Sequence, residues 1–456
     1  MLKIKFCGGA KNVTGANYLI EKDGIKILVD CGLSQGTKFA EDFNYQPFPY
    51  DPKEINYVFI THSHMDHVGR LPKLWREGFR GKVFVTKATA DLIEVAMPDN
   101  MGHVISEAEQ HNHEPLFRGE DLKGVLSLIV KNSYHSRIEL GGMGAIFYDA
   151  GHILGSSIIG FDWQSNGKTR RIFFSGDLGN SPTPLLRNTE YITGANYLLV
   201  ESTYGDRVHE SRKDRKEKLV AAIKKVINNG GVLMIPSFAT ERTQELLFEL
   251  NQLFNNGIMP KVPIFIDSPL AIKLTDVYRK NTDCFNKEAT EYSEIDEDLF
   301  HFPGLTMTAT VEESKAINDV PAPKIIIAGS GMSQGGRIVH HEKRYLPGPN
   351  NGILFIGYQA DGSLGRRIQR GDKNVQILGE NVEVKCNVET IGSYSAHADQ
   401  PALLKWIERA NSEDSLKKVF MVQGEEEAAK TLSNLAHDRL GVNAVVPNEG
   451  DTLDLE

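Results

Sequence analysis

The segment His62-Ser-His64-Met-Asp66-His67 limits what this chain can fold into more than any other feature. It sets three imidazoles and a carboxylate within six residues. It follows directly on the apolar, β-branched run Tyr57-Val-Phe-Ile-Thr61, which reads as a strand, and precedes apolar residues at helical spacing from Val68 to Arg76. The cluster therefore belongs on a strand-to-helix loop. Neutral imidazole and carboxylate are the ligands zinc takes when it must keep a coordination position open for chemistry. Two histidines one residue apart can reach one metal from an extended loop, while the adjacent Asp66-His67 pair turns toward a second position. A lone His-x-His is ordinarily a solvated loop, but the aspartate and third histidine at this spacing make that reading a poor one.

Further candidate ligands end later strands: Asp30 in Val29-Asp-Cys-Gly, His152 in Asp149-Ala-Gly-His, Asp177 in Ser175-Gly-Asp, and His397 in Ser395-Ala-His. Singly, each has a plain explanation as a turn carboxylate or a buried histidine. Strand-end loops of one sheet can nevertheless converge. Strand patterns recur at Leu2 to Phe6, Tyr18 to Ile20, Ile25 to Val29, Lys82 to Val85, Ala145 to Tyr148, Ile158 to Phe161, Arg171 to Phe174 and Tyr197 to Val200, so the first 205 residues are β-rich.

Near residue 206 the rhythm changes. Leu219, Val220, Ile223, Val226 and Ile227 follow helical spacing; a strand at Val232 to Phe238, a helix at Glu241 to Phe254 and a strand at Val262 to Ile266 form a β-α-β unit, with Thr240 placed to cap the helix. Strands at Lys324 to Ile327 and Gly352 to Ile356 extend it. From residue 386 the pattern returns to strands followed by a helix at Gln400 to Ala410. The expected organisation is a first domain over 1–205, an inserted α/β domain over 206–385, and a return to the first domain over 386–456.

With 456 residues the chain exceeds one simple core. A hydrophobic share of 40% and a charged share of 24% are ordinary for a globular protein. No stretch is long and apolar enough to span a bilayer, and the start alternates apolar and basic residues unlike a secretion signal. The cysteines Cys7, Cys31, Cys284 and Cys386 lack C-x-x-C spacing, which favours a reducing compartment, read as cytoplasmic. A net charge of -9 argues against whole-surface attraction to nucleic acid or to anionic membrane, so any nucleic-acid site must be local.

The ordered set H-x-H-x-D-H, later His152 and later Asp177 resembles the metallo-β-lactamase superfamily. Glu201-Ser-Thr-Tyr-Gly-Asp206, Gly329-Ser-Gly-Met332 and Ser395-Ala-His397 narrow the resemblance to its β-CASP branch of RNA-processing nucleases. It implies an α/β fold, an αββα metallo-β-lactamase sandwich with an inserted α/β β-CASP domain. It implies two zinc ions, the first held by His62, His64 and His152, the second by Asp66 and His67, with Asp177 bridging and Asp30 as support behind them. A metal-activated hydroxide would hydrolyse an RNA phosphodiester; Asp66 is counted with the catalytic groups, His397 would protonate the leaving oxygen and Glu201 would orient His397.

One position departs from the family, which usually has Val-His-Gly-Glu where this chain has Val422-Gln423-Gly424-Glu425. Gln423 is read as a weak or lost ligand, through natural divergence or an inactivating replacement, because a neutral amide oxygen binds zinc less well than imidazole. The glycine loop Gly329 to Arg337 is the expected phosphate site, through Ser330, Gly331 and Arg337, on the strength of the resemblance. Tyr358, within a second glycine loop, is read equally as a nucleic-acid contact or as part of a solvated helix start. His111, His113, His340 and His341 are read as structural or surface residues, and His103 and His135 as cleft candidates. The expected partner is single-stranded RNA, cut by endonuclease or 5′-to-3′ exonuclease action, with no membrane and with a homodimer or processing complex left open. The alternatives are a thioester or lactone hydrolase using the same metals, and an RNA-binding subunit weakened at Gln423.

Overall fold

A computed structural model of the chain describes residues 1–35, 38–110, 113–211, 214–360, 362–412 and 415–456. The chain forms two compact units, one of residues 1–183, 187–208 and 397–456, the other of 184–186 and 209–396.

In the first unit, period-two alternation builds two seven-stranded sheets that share one core. Ile27 and Val29 point to one face of their strand and Leu28 to the other; Phe59 and Ile60 divide in the same way. One sheet runs in the order Thr452–Leu455, Leu2–Gly8, Asn17–Lys22, Ile25–Val29, Tyr57–Phe59, Lys82–Thr86, Ile129–Asn132. The other runs Ala444–Val445, Lys418–Val422, Tyr197–Glu201, Lys168–Phe174, Ser157–Ser165, Met143–Asp149, Ile138–Glu139. Between them Phe59 of the first sheet meets Phe147 and Phe161 of the second at ring centroid distances of 5.7 and 5.0 Å. Truncating such a buried ring costs about 3–5 kcal/mol, and here it would loosen the strand that leads into His62. Helices cover both outer faces, Leu71–Arg76 and Lys87–Gln110 on one side, Gln400–Ala410 and Glu426–Leu440 on the other. The result is the four-layer αββα sandwich.

The second unit holds a six-stranded sheet in the order Leu305–Met307, Ile264–Asp267, Lys324–Ala328, Val232–Pro236, Gly352–Phe355, Asn387–Thr390, every pairing parallel. Its central strands are buried along their whole length, which is why they read as continuous apolar runs. Strand Asn387–Thr390 pairs with Gly352–Phe355, so the chain leaves this unit after residue 396, later than the pattern change at 386 indicates. The expected helix over Val68 to Arg76 is two short ones, Met65–Val68 and Leu71–Arg76, interrupted at Gly69 and Arg70. Thr240 does not cap the helix Arg242–Asn255: the cap position is Glu241, at φ 67°, and no side chain closes it.

Candidate metal centre

His62 and His64 lie on the loop after strand Tyr57–Phe59, and Asp66 and His67 on the helical turn that follows. That turn sits tightly against a neighbouring loop: a Cβ on Gly32 would fall 1.5 Å from the Asp66 carbonyl oxygen, so only glycine admits the approach. His152 follows strand Met143–Asp149, Asp177 follows Lys168–Phe174, Glu201 ends its own strand, and Gln423 follows Lys418–Val422. All belong to the first unit, as does His397. The ends of five strands thus converge.

The ligand atoms of His62, His64, His152 and Asp177 lie within 4.8 Å of one another, as do those of Asp66, His67 and Asp177, and those of Asp177, Glu201 and His397. Asp177 is common to all three groups. Its Oδ2 stands 3.4 Å from His62 Nε2 and 3.5 Å from His152 Nε2, while its Oδ1 stands 3.3 Å from His67 Nε2. His64 Nδ1 is 3.0 Å from His62 Nε2 and 3.3 Å from His152 Nε2. Four donors at the usual zinc distance, arranged as a tetrahedron, are separated by about 3.3–3.4 Å. The spacing and chemistry of this donor set fit such an ion, and Asp66 Oδ2, 3.8 Å from His67 Nε2, opens a second position.

Behind the cluster, Asp30 Oδ2 lies 2.7 Å from His67 Nδ1 and so turns Nε2 toward Asp177. Thr61 donates to both Asp30 oxygens, from its backbone N–H and its hydroxyl, each at 2.8 Å. Sequence reasoning passed over Thr61, because its tie to Asp30 joins the ends of two strands that no local pattern relates. Glu201, fully buried, accepts from the Leu178 N–H at 2.6 Å and lies 3.2 Å from His397 Nδ1.

Charge is distributed unevenly. Burial, with His67 next to it, holds His62 well below the usual histidine range. Burial also opposes a proton on His67, but Asp177, Asp30 and Asp66 outweigh it and hold that imidazole well above its usual value. Burial pushes Asp66 up to about 6. His397, despite burial, is raised to about 9 by Glu201 and Asp177. A site with this much carboxylate charge favours protons or cations, and a coordinated cation competes for the same lone pairs.

Gln423 is buried beside the second position, but its amide nitrogen faces inward, donating to Asp177 Oδ1 at 2.7 Å and lying 3.2 Å from His67 Nε2. In this arrangement it holds Asp177 as a hydrogen-bond donor. Ser330, Gly331 and Arg337 belong to the second unit. There the Ser330 N–H donates to Gly335 O and its hydroxyl accepts from Gln334 N–H, so the loop satisfies part of itself. Arg337 does not offer the free fork that a bidentate phosphate contact needs: Nη1 is committed to Asp267 and Thr308 O, and Nη2 to Ala309 O. His341 is structural, with Nε2 at 2.7 Å from Asp267. His135, exposed, faces Glu190 in the first unit. His111 and the side chain of His103 lie outside the described residues.

Three family descriptions match the chain: the metallo-beta-lactamase superfamily over residues 12–92, the Beta-Casp domain over 243–368, and a Zn-dependent metallo-hydrolase RNA specificity domain over 381–447. Ribonuclease TTHA0252 of Thermus thermophilus is 38% identical over 94% of this chain and 94% of its own length. Transcription termination factor FttA of Thermococcus kodakarensis is 30% identical over 100% of this chain and 72% of its own length, and that of Methanosarcina mazei 27% identical over 97% and 70%. A crystal structure of a protein of unknown function from Enterococcus faecalis shares the fold with a TM-score of 0.57 at 10% identity, each chain covered in full.

Proposed function

The chain belongs to the metallo-β-lactamase superfamily and, within it, to the β-CASP proteins, and from that membership we propose that it is a metal-dependent ribonuclease that hydrolyses phosphodiester bonds of single-stranded RNA. The observation that carries this reading is the sharing of Asp177 among three groups of ligand atoms. The ion proposed is zinc, at two positions: His62, His64, His152 and Asp177 for one, Asp66, His67 and Asp177 for the other. Zinc bound there supplies Lewis acidity, which acidifies water and neutralises charge on a phosphoryl oxygen.

The chain's own residues supply the remaining steps. Glu201 fixes the His397 ring through Nδ1, so that Nε2 can deliver its proton to the leaving oxygen. Burial opposes a proton on His397, but the Glu201 carboxylate beside it favours one, as a general acid needs. Asp30 and Thr61 keep His67 in register. All of these groups come from one unit of the chain. The four cysteines are unpaired and buried, which supports a cytoplasmic location, and among the described residues no helix is long and apolar enough to cross a membrane.

The RNA-binding subunit remains as a second reading because Gln423 occupies Asp177 by hydrogen bonding. Cleavage of 5′- and 3′-labelled single-stranded RNA with added zinc, with metal content measured in parallel, separates the two. Asp66→Ala should abolish cutting, and Gln423→His should raise it about tenfold together with the second metal, within the 10–100-fold range of metal-site effects. Zinc binding without cleavage by any version would support the binding subunit and reject the nuclease.

A further inference from the structure

Within the second unit, a cavity of about 500 Å³ opens between the helices Val311–Ala316 and Ile338–Tyr345. Its wall carries Lys315, Arg337, His340, Lys343 and Arg344, with Ser314 beside them. Lys343 is paired with Glu380 and Arg337 with Asp267. Lys315, His340 and Arg344 are exposed and make no ion pair among the described residues. Of the acids on the same two helices, Glu313 accepts from the N–H groups of Ala309 and Thr310, Glu342 is buried against Ser333, and Glu312 is exposed but does not line the cavity. Cationic charge therefore collects at one concavity of a chain whose net charge is -9.

The floor is rigid. Asp267, fully buried, accepts from Arg337 Nη1 at 2.7 Å, Ser314 Oγ at 2.7 Å and Thr308 Oγ1 at 2.8 Å, with His341 Nε2 at 2.7 Å. Arg337 is thereby held in one orientation, still partly open to solvent at 19%. With its donors taken up there, Arg337 contributes fixed positive charge to the wall, and the side chains left to meet an anion are Lys315, His340 and Arg344. The volume is that of a small-ligand site and exceeds what a bare phosphate needs. A phosphate with its attached ribose fills it better.

We propose that this cavity is a phosphate-binding subsite, and that its occupant is a phosphodiester group of the RNA chain. The choice of RNA rests on the ribonuclease reading; the preference for phosphate rests on the cavity alone.

The test uses the full chain carrying Asp66→Ala, so that RNA is bound without being cut. Binding of a fluorescent single-stranded 20-mer is followed by anisotropy across a salt series for this parent, for Lys315→Ala with Arg344→Ala, and for a control pair of equal charge, Lys224→Ala with Lys287→Ala. The cavity pair should weaken binding about tenfold and flatten the slope of log K against log salt by about 1.4, two contacts at about 0.7 each for a single strand. The control pair should change affinity less than twofold. Equal losses in both pairs, or no loss in either, would overturn RNA as the occupant. Calorimetric titration with inorganic phosphate separates the sources: if the cavity pair loses phosphate binding and keeps RNA affinity, the occupant is a free phosphate and the RNA assignment is overturned. Should the parent bind no RNA, the ribonuclease reading fails and the phosphate titration alone decides, with loss in the cavity pair supporting the subsite and absence of binding in the parent rejecting it.

Discussion

Two buried aspartates, one in each unit, show how differently the chain treats a carboxylate. Asp267 is saturated, with hydrogen-bonding partners from Arg337, Ser314, Thr308 and His341 all at 2.7–2.8 Å. Asp177 has one short bond, from Gln423 at 2.7 Å, and imidazole nitrogens at 3.3, 3.4 and 3.5 Å that stand too far off for good hydrogen bonds yet converge on the same oxygens. A carboxylate closed by protein donors holds structure. One ringed by lone-pair donors at the edge length of a metal tetrahedron is arranged for an ion between them.

Asp177→Asn tests the sharpest side of this contrast. It should lower RNA cleavage on the order of 10³-fold, several kcal/mol of transition-state stabilisation, and reduce bound zinc, while urea unfolding shifts little. Strong destabilisation with zinc retained would erase the distinction between the two aspartates.

Asp267→Asn should do the opposite, costing about 3 kcal/mol of stability because Arg337 is left without its buried counter-charge, with metal content unchanged. Its pH dependence has a definite sign. Burial raises the Asp267 carboxyl, but the contacts with His341, Ser314, Arg337 and Thr308 outweigh burial and bring it from 3.8 to about 2. A group depressed in the folded state contributes fully above its unfolded value and loses that contribution as pH falls through about 2. Between pH 4 and pH 2 the urea midpoint of the parent should therefore fall more steeply than that of Asp267→Asn.

The smallest effect is expected behind the metal cluster. Asp30→Asn keeps a side chain tolerant of the positive φ at this position, 59°, but removes the charge facing His67 Nδ1. Zinc affinity should fall 10–100-fold, as is typical for such supporting carboxylates, measured by competition with a chromogenic chelator. An unchanged affinity would show that Thr61 and packing suffice to orient the ring.

The order of motifs along the chain determined the fold family, because the His62 to His67 segment after a strand, His152 and Asp177 after later strands, and the β-α-β rhythm past residue 206 are all local signals. Period-two and apolar-run patterns located most strands for the same reason, and the helix Gln400–Ala410 has the bounds its pattern indicates. The supporting contacts were not legible. Thr61 and Asp30 meet because neighbouring parallel strands end side by side, and no spacing within one segment records that. Arg337 read as a phosphate contact because a glycine loop precedes it, yet Asp267, seventy positions earlier, claims its guanidinium. Residue types and short spacings write the chemistry that a chain can perform. Which donors are already satisfied by protein groups, and which are left to coordinate an ion, depends on pairs far apart in sequence and is decided only when the sheets pack.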